Sequence, residues 1–456
     1  MTRKQLFTLI ATTVASGVVI LDGSVVNLAL PHIANSLHAS FASLQWIVDG
    51  YLLTLSALIM IGGSLGDILG RKRAYLCGLA GFGLASLLCG LAPNTGFLVG
   101  LRMLQGIFGA LLVPGALAII NTNFEAKARS AAIGKWTAWS ALAAAIGPLL
   151  GGYIIGIASW RYIFLINVPL VVICLYLGTA GIKESKDVNP RRIDYQGALL
   201  AATALGGLTY GLIEGPAKHW SASAVVPLLV GAVTAILFLY VEHRSKDPMV
   251  KLGLFRSRNF TAANVATFAM YGALGGFFFA LLLYLQSTVG FSSIKAGGCL
   301  LPISILLLLL SGRVGKLVGR YGSKPFMTAG PIIAALGMLL LLNLQKGSDI
   351  SNVLPGVILF GFGLALNVAP LTNTVMSAVA ESDSGIASGV NNAVSRVSGL
   401  IVIALLGLFG AAHSYRYTVL LCAIMAAGAG LFSYLLVDNA ATKTTHSYQS
   451  EKDTSS

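Results

Sequence analysis

Long apolar runs follow one another along almost the whole chain, broken only by short polar stretches. A helix needs about 20 mainly apolar residues to cross a bilayer core of about 30 Å. By that measure the pattern predicts fourteen spans, near 7–31, 43–64, 74–93, 96–120, 131–157, 162–181, 195–215, 222–242, 260–287, 294–317, 326–345, 352–378, 386–411 and 414–437. The third and fourth are the hardest to divide, with only Ala92 to Gly96 as a turn. The first run, Leu6 to Leu30, is too long for the core of a cleavable signal and lacks a small-residue cleavage site, so it reads as the first span. The pattern is that of an all-α polytopic membrane protein.

Composition agrees. The chain has 456 residues, 56% hydrophobic and only 10% charged. A soluble domain carries about 25% charged residues, so this chain is too poor in charge to cover itself in water and needs a lipid bilayer around it. The net charge of +14 would suggest nucleic acid in a soluble protein, but the placement of the charges argues otherwise. With the N-terminus inside, 23 of the 30 Lys and Arg fall in cytoplasmic segments and 5 in outer ones, with Arg102 and Arg396 inside spans. Cytoplasmic loops collect Lys and Arg. The topology is therefore expected to have both termini in the cytoplasm and an even number of spans in the cell membrane. The charge is a topological signal and needs no nucleic acid. The tail 438–456 is polar and expected to be disordered.

The chain also repeats itself. Gly63-Ser-Leu-Gly66-Asp67-Ile-Leu-Gly70-Arg71 matches Gly312-Arg-Val-Gly315-Lys316-Leu-Val-Gly319-Arg320 without a gap, 249 residues apart. Each copy lies where an even-numbered span returns to the cytoplasm, and the offset pairs span 2 with span 10. The expected division is a six-helix lobe over 1–182, a two-helix insertion with its flanking loops over 183–258, a second six-helix lobe over 259–437 and the tail. Repeated halves around a midplane site are the mark of secondary transporters.

Several segments resemble signatures of the major facilitator superfamily, and of its fourteen-helix drug:proton antiporters in particular. Gly63 to Arg73 resembles the superfamily's cytoplasmic loop motif, with Ile68 where a basic residue is usual. Leu21-Asp22 through Asn27 to Pro31 looks like the antiporters' first-helix signature. Leu98 to Gly106, containing Arg102 and Gln105, is similar to the fourth-helix motif. Ile146-Gly147-Pro148-Leu-Leu-Gly151-Gly152 resembles the antiporter motif of the fifth helix, with Ala143 in place of its leading glycine. Trp160 to Pro169 is typical of the same group. The resemblance implies two lobes around a central cavity, alternating access, and export of amphipathic, often cationic compounds in exchange for protons. It implies no cofactor beyond the proton gradient.

Ionisable groups inside a membrane are costly and mark function by default. Asp22 lies ~22 Å along span 1 from its cytoplasmic end, while Asp49 and Arg102 each lie ~9 Å in from the outer ends of spans 2 and 4, at 1.5 Å per residue. Asp22 is the expected carrier of the coupling proton, with Arg102 and Asp49 beside it; the competing reading is a fixed Asp22–Arg102 pair that holds helices together. Asp49, Glu214, Asn27 and Gln105 are expected to contact substrate. Glu214 ends span 7 and reads more simply as an interfacial residue. Gly63, Asp67, Gly70 and Arg71, with Gly147, Pro148, Gly151 and Gly152, are expected to serve gating or close helix packing. The five cysteines and six histidines show no metal-ligand spacing, and neither a nucleotide loop nor a nucleophile–base set stands out. An enzyme is thus the weakest reading; a single-substrate exporter and a non-transporting membrane sensor are the stronger rivals. A small-molecule substrate, protons and lipid are the expected partners, and a monomer the expected state.

Overall fold

The computed structural model describes residues 1–187, 193–245, 248–380, 383–409 and 414–439. In chain order the helices are α1 (Arg3–Leu37), α2 (Phe41–Leu69), α3 (Arg71–Gly90), α4 (Thr95–Asn123), α5 (Ala126–Ile157), α6 (Tyr162–Leu165), α7 (Asn167–Gly181), α8 (Tyr195–Ala217) and α9 (Ala222–Arg244). They continue as α10 (Arg258–Tyr284), α11 (Ser293–Cys299), α12 (Leu301–Tyr321), α13 (Lys324–Leu340), α14 (Ile350–Ser377), α15 (Ser384–Leu405) and α16 (Ser414–Leu436). Twelve helical stretches among the described residues are long and apolar enough to cross a membrane; Ile146–Ile157 and Lys324–Leu340 are shorter apolar stretches. The sixth predicted run breaks at Ile166 and the tenth at Leu300.

Polar residues start these helices where the sequence supplies them. Thr2 accepts from the Gln5 amide while the Gln5 side chain reaches back to the Thr2 amide, a reciprocal cap on α1. The side chains of Ser40, Asn94, Asp194 and Ser292 cap α2, α4, α8 and α11 in the simpler way.

The chain divides into two compact units. The first contains Met1–Met249, Leu281–Leu301 and the described part of Ile403–Ala412; the second contains Val250–Ala280, Pro302–Val402 and the described part of His413–Ser456. Helices α8 and α9 belong to the first. Its core gathers Val18, Leu55, Phe82, Ala110, Ile119 and Val171 from α1, α2, α3, α4 and α7. Glycine sets the closest helix approaches. A methyl group on Gly62 would stand 2.1 Å from the Ala110 carbonyl oxygen, and one on Gly106 would stand 2.4 Å from that of Tyr51, so α2 and α4 cross backbone to backbone. In the second unit α13 and α14 use the same device at Gly330 and Gly363. Phe277 packs on Phe360 with ring centroids 4.9 Å apart, and the Tyr415 hydroxyl donates to the Leu341 carbonyl at 2.8 Å.

The two copies of the repeat fold differently at their ends. In the first, α2 stops at Leu69 and Gly70 takes φ +116°, which an L-residue adopts only with strain. By the gapless offset Gly319 is its counterpart, yet α12 runs on through it to Tyr321, and the left-handed residue is Gly322, at φ +79°. Gly312, Gly315 and Gly319 have open space where a methyl would sit. The two copies, alike in sequence, therefore do not make equivalent turns. The second copy keeps the glycines without the close approach, and its turn comes three residues later.

Candidate functional site

The principal polar cluster lies inside the first unit. Asp22 on α1 is 2% exposed and Arg102 on α4 is 1% exposed. Arg102 Nη1 donates to Asp22 Oδ2 at 2.5 Å and to Gln105 Oε1 at 2.6 Å. Its Nε donates to the Ile47 carbonyl of α2 at 3.1 Å, and its guanidinium lies 4.4 Å from the centre of the Tyr51 ring. The other carboxylate oxygen, Asp22 Oδ1, accepts from Gln105 Nε2 at 3.0 Å and from Asn167 Nδ2 at 3.2 Å. Ser86 closes the network by accepting from Gln105 at 2.7 Å and from Asn167 at 3.2 Å. Five helices thus meet at one buried ion pair whose carboxylate has donors on both oxygens. Such a pair withstands burial because hydrogen bonds replace the lost water.

Asp49 stands apart from this network. It is fully buried on α2, two residues beyond the carbonyl that Arg102 grips, yet among the described residues neither of its carboxylate oxygens has a hydrogen-bond partner. An ionised carboxylate without a donor is very costly in a low-dielectric interior, whereas the neutral acid is far cheaper to bury. The two acids expected to act together therefore have opposite surroundings. The turn of α2 before Asp49 is tied on two sides. Gln45 Nε2 donates to the carbonyls of Ile403 and Ala404 at 2.5 and 3.2 Å, and Trp46 Nε1 donates to Glu214 Oε1 on α8 at 2.9 Å.

The remaining expected residues fall into three groups. Gln105 belongs to the Asp22 network, while the Asn27 side-chain carbonyl is buried without a donor. At the turn between α2 and α3, Asp67 Oδ1 accepts from Arg71 at 2.8 Å. The segment after α7 caps this turn: the Arg71 amide donates to the Ser185 carbonyl at 2.9 Å and the Lys72 amide to Glu184 Oε1 at 3.0 Å. Gly63 is not the tight position; a methyl there would lie 3.6 Å from Pro114, an ordinary contact, while its neighbour Gly62 carries the crossing. On α5, which runs unbroken through Pro148, the glycines let the helix close on two partners. Methyls on Gly147 and Gly151 would strike Ser24 and Val25 of α1 at 2.7 and 2.4 Å, and one on Gly152 would strike the Ser293 carbonyl oxygen of α11 at 2.4 Å.

Sequence reasoning passes over Ser86 and Asn167. Asn167 stands inside the Trp160 to Pro169 motif, but a neutral amide in an apolar run carries no charge signal. Gln45 gives no signal either, because its partners are backbone carbonyls far along the chain. Of the two acids in the loop before the thirteenth predicted span, Glu381 lies outside the described residues. Asp383 forms an ion pair with Lys251 at 2.7 Å in the second unit.

Many apolar helices, a short segment repeated in the two units and a buried ion pair fit a multi-pass membrane protein of the secondary-transporter class. The model of the Major Facilitator Superfamily matches residues 12–403, and the chain belongs to that family. It is 37% identical over 409 residues to the multidrug resistance protein Stp of Mycobacterium tuberculosis, covering 89% of this chain and 76% of that one. It is 33% identical to the multidrug efflux pump LfrA of Mycolicibacterium smegmatis, with 85% and 77% covered, and 32% identical to the tetracenomycin C resistance and export protein of Streptomyces glaucescens, with 89% and 76% covered. Among solved structures, a POT family transporter in complex with 5-aminolevulinic acid superposes with a TM-score of 0.71 at 14% identity, covering 96% of this chain and 97% of that one. That likeness speaks for the fold alone.

Proposed function

We propose that the protein is a proton-coupled exporter of amphipathic, cationic compounds that works by alternating access in the cytoplasmic membrane. The relatives named for multidrug resistance and efflux support the activity. The observation that carries the coupling is Asp49, a fully buried carboxyl group with no donor on either oxygen. In this reading Asp49 holds the transported proton as a neutral acid, and an arriving cation, or water admitted by opening, makes its ionised form affordable. Asp22 and Arg102 stay charged and paired, and fix the register of α1, α2 and α4. Sequence alone puts the proton on Asp22; the donors around Asp22 favour this division of labour. Asn27, with its unmet carbonyl, is a substrate contact, and the glycine face of α5 is the surface that parts and closes. The chain spans the membrane fourteen times as six, two and six helices, with both termini in the cytoplasm. The lysine and arginine distribution and the repeat offset support this count.

The test is energised efflux of ethidium from everted or loaded vesicles. Wild-type efflux should collapse on addition of a protonophore, and Asp49→Asn should lose proton-driven efflux while still exchanging substrate down its own gradient. Ethidium efflux indifferent to the protonophore would sink the proposal. Export of one antibiotic alone is a second reading, favoured by the tetracenomycin C relative, and a substrate panel separates the two.

A further inference from the structure

Beyond the buried network, a second charged cluster sits where the second turn of α2 meets the end of α8. Glu214 is its centre. Its Oε1 accepts from Trp46 Nε1 at 2.9 Å, and its Oε2 lies 3.2 Å from the Lys218 ammonium. The same ammonium donates to the Tyr210 hydroxyl at 2.6 Å and lies 4.9 Å from the centre of the Tyr210 ring. The Trp46 and Tyr210 rings stand 6.1 Å apart at 52°. A carboxylate with two aromatic rings angled around it is the chemistry that receives an organic cation: the carboxylate supplies charge and the ring faces supply the attraction of their quadrupoles. Here the cation is the protein's own.

The peptide that delivers Lys218 is unusual. His219 and Trp220, directly after it, both have positive φ, +48° and +55°. Consecutive left-handed residues that are not glycine are strained, and such strain clusters at ligand clamps and switches. The Lys218 amide still closes on the Glu214 carbonyl at 2.8 Å, and the Trp220 amide on that of Gly215 at 2.8 Å, so the turn folds back tightly and holds the lysine over the box. The ammonium itself is not locked in. The Lys218 side chain is 39% exposed and that of Glu214 19%. An ion pair so open to water contributes little net free energy, and a competing cation that brings apolar surface to the rings gains what a lysine cannot.

We infer that Trp46, Tyr210 and Glu214 form an accessory binding site for amphipathic organic cations, filled in this structure by the Lys218 ammonium as an internal plug that the cation displaces. This deepens the export reading above and rests on it. It also gives the α8–α9 pair a role, since α8 brings a carboxylate and an aromatic ring to α2, one helical turn from Asp49. The Tyr210 hydroxyl and the Glu214 carboxylate hold Lys218 above the ordinary lysine range, so the plug stays charged and displacement is cation for cation.

The experiment uses the purified full-length chain and tetraphenylphosphonium, titrated by calorimetry. Lys218→Met should bind the cation about 2–5-fold more tightly, which is what removal of a weak surface competitor allows. Adding Glu214→Gln to that variant should abolish the gain. Tyr210→Phe, which keeps the ring and drops the hydroxyl that steadies the ammonium, should move affinity the same way by less. Unchanged or weaker binding in both Lys218→Met and Tyr210→Phe, with wild-type melting, would overturn the inference and leave Lys218–Glu214 a strut. If Lys218→Met melts early, Tyr210→Phe decides alone. Ethidium export by the wild type is measured alongside: its absence counts against the export reading, while export with no change in these affinities counts against the plug only.

Discussion

Asp22 and Asp49 lie on neighbouring helices, both out of reach of solvent, and their surroundings are opposite. Asp22 has a guanidinium and two amide donors, so both of its carboxylate oxygens are answered. Asp49, two residues past the Ile47 carbonyl that Arg102 holds, has no donor among the described residues. In the proposed mechanism this difference lets one unit hold two carboxyl groups for two purposes. A carboxylate that must stay charged is surrounded by donors, and one that must change charge is left without them. Arg102 donates to Asp22, Gln105 and the Ile47 carbonyl, so the contrast is built by Arg102 as much as by either acid.

The sharpest way to break this contrast is to cut the pair. Arg102→Met alone strands a buried carboxylate and should cost about 3–5 kcal/mol, seen as poor yield and a large fall in melting temperature. The double variant Asp22→Asn/Arg102→Met should recover most of that loss, since replacing both charges by neutral groups is often near neutral. At Asp49 the sign reverses: Asp49→Asn should melt no earlier than wild type while losing proton-driven efflux by at least about tenfold, as removal of an essential protonating group does. Destabilisation by Asp49→Asn as large as that of Arg102→Met would erase the distinction.

Smaller effects test the scaffold around the two acids. Gly62→Ala should cost about 1–3 kcal/mol through overpacking against the α4 backbone, whereas Gly63→Ala should stay within about 0.5 kcal/mol; thermal melting of the pair decides it. At the repeated turns the signs diverge again. Gly70→Ala forces φ +116° on a residue with a side chain and should destabilise by about 1–3 kcal/mol. Gly319→Ala, inside α12 with open space around it, should stabilise by about 0.5–1 kcal/mol. Equal losses at both would restore the idea of two equivalent hinges.

The all-helical membrane class is legible from hydropathy, because apolar runs of spanning length seldom arise in a chain that folds in water. Asp22 and Arg102 are legible as intramembrane charges, and Gln105 through the motif that contains it. Ser86 and Asn167 are not, since small neutral polar groups are common in helices and only their convergence gives them meaning. Nor can the sequence tell which acid lacks donors: Asp22 and Asp49 differ in which way their helix faces turn, and that depends on how α1, α2 and α4 pack. Gly62 and Gly63 differ for the same reason, since one faces α4 squarely and the other at its margin. The repeat is visible in the residues, but the longer α12 is not, because continuing a helix through glycine is decided by what packs against its end. In sequence Lys218 reads as an outer-loop charge; its place between Glu214 and Tyr210 depends on the turn of His219 and Trp220.

The division of labour between the two acids is tested most directly by infrared difference spectroscopy of the purified protein on adding tetraphenylphosphonium, reading the carbonyl stretch of a protonated carboxylic acid. This band should be lost on cation binding in the wild type and in Asp22→Asn/Arg102→Met, and be missing from the start in Asp49→Asn. A band that survives in Asp49→Asn and disappears with Asp22 would contradict it, and would put the proton back on the paired acid.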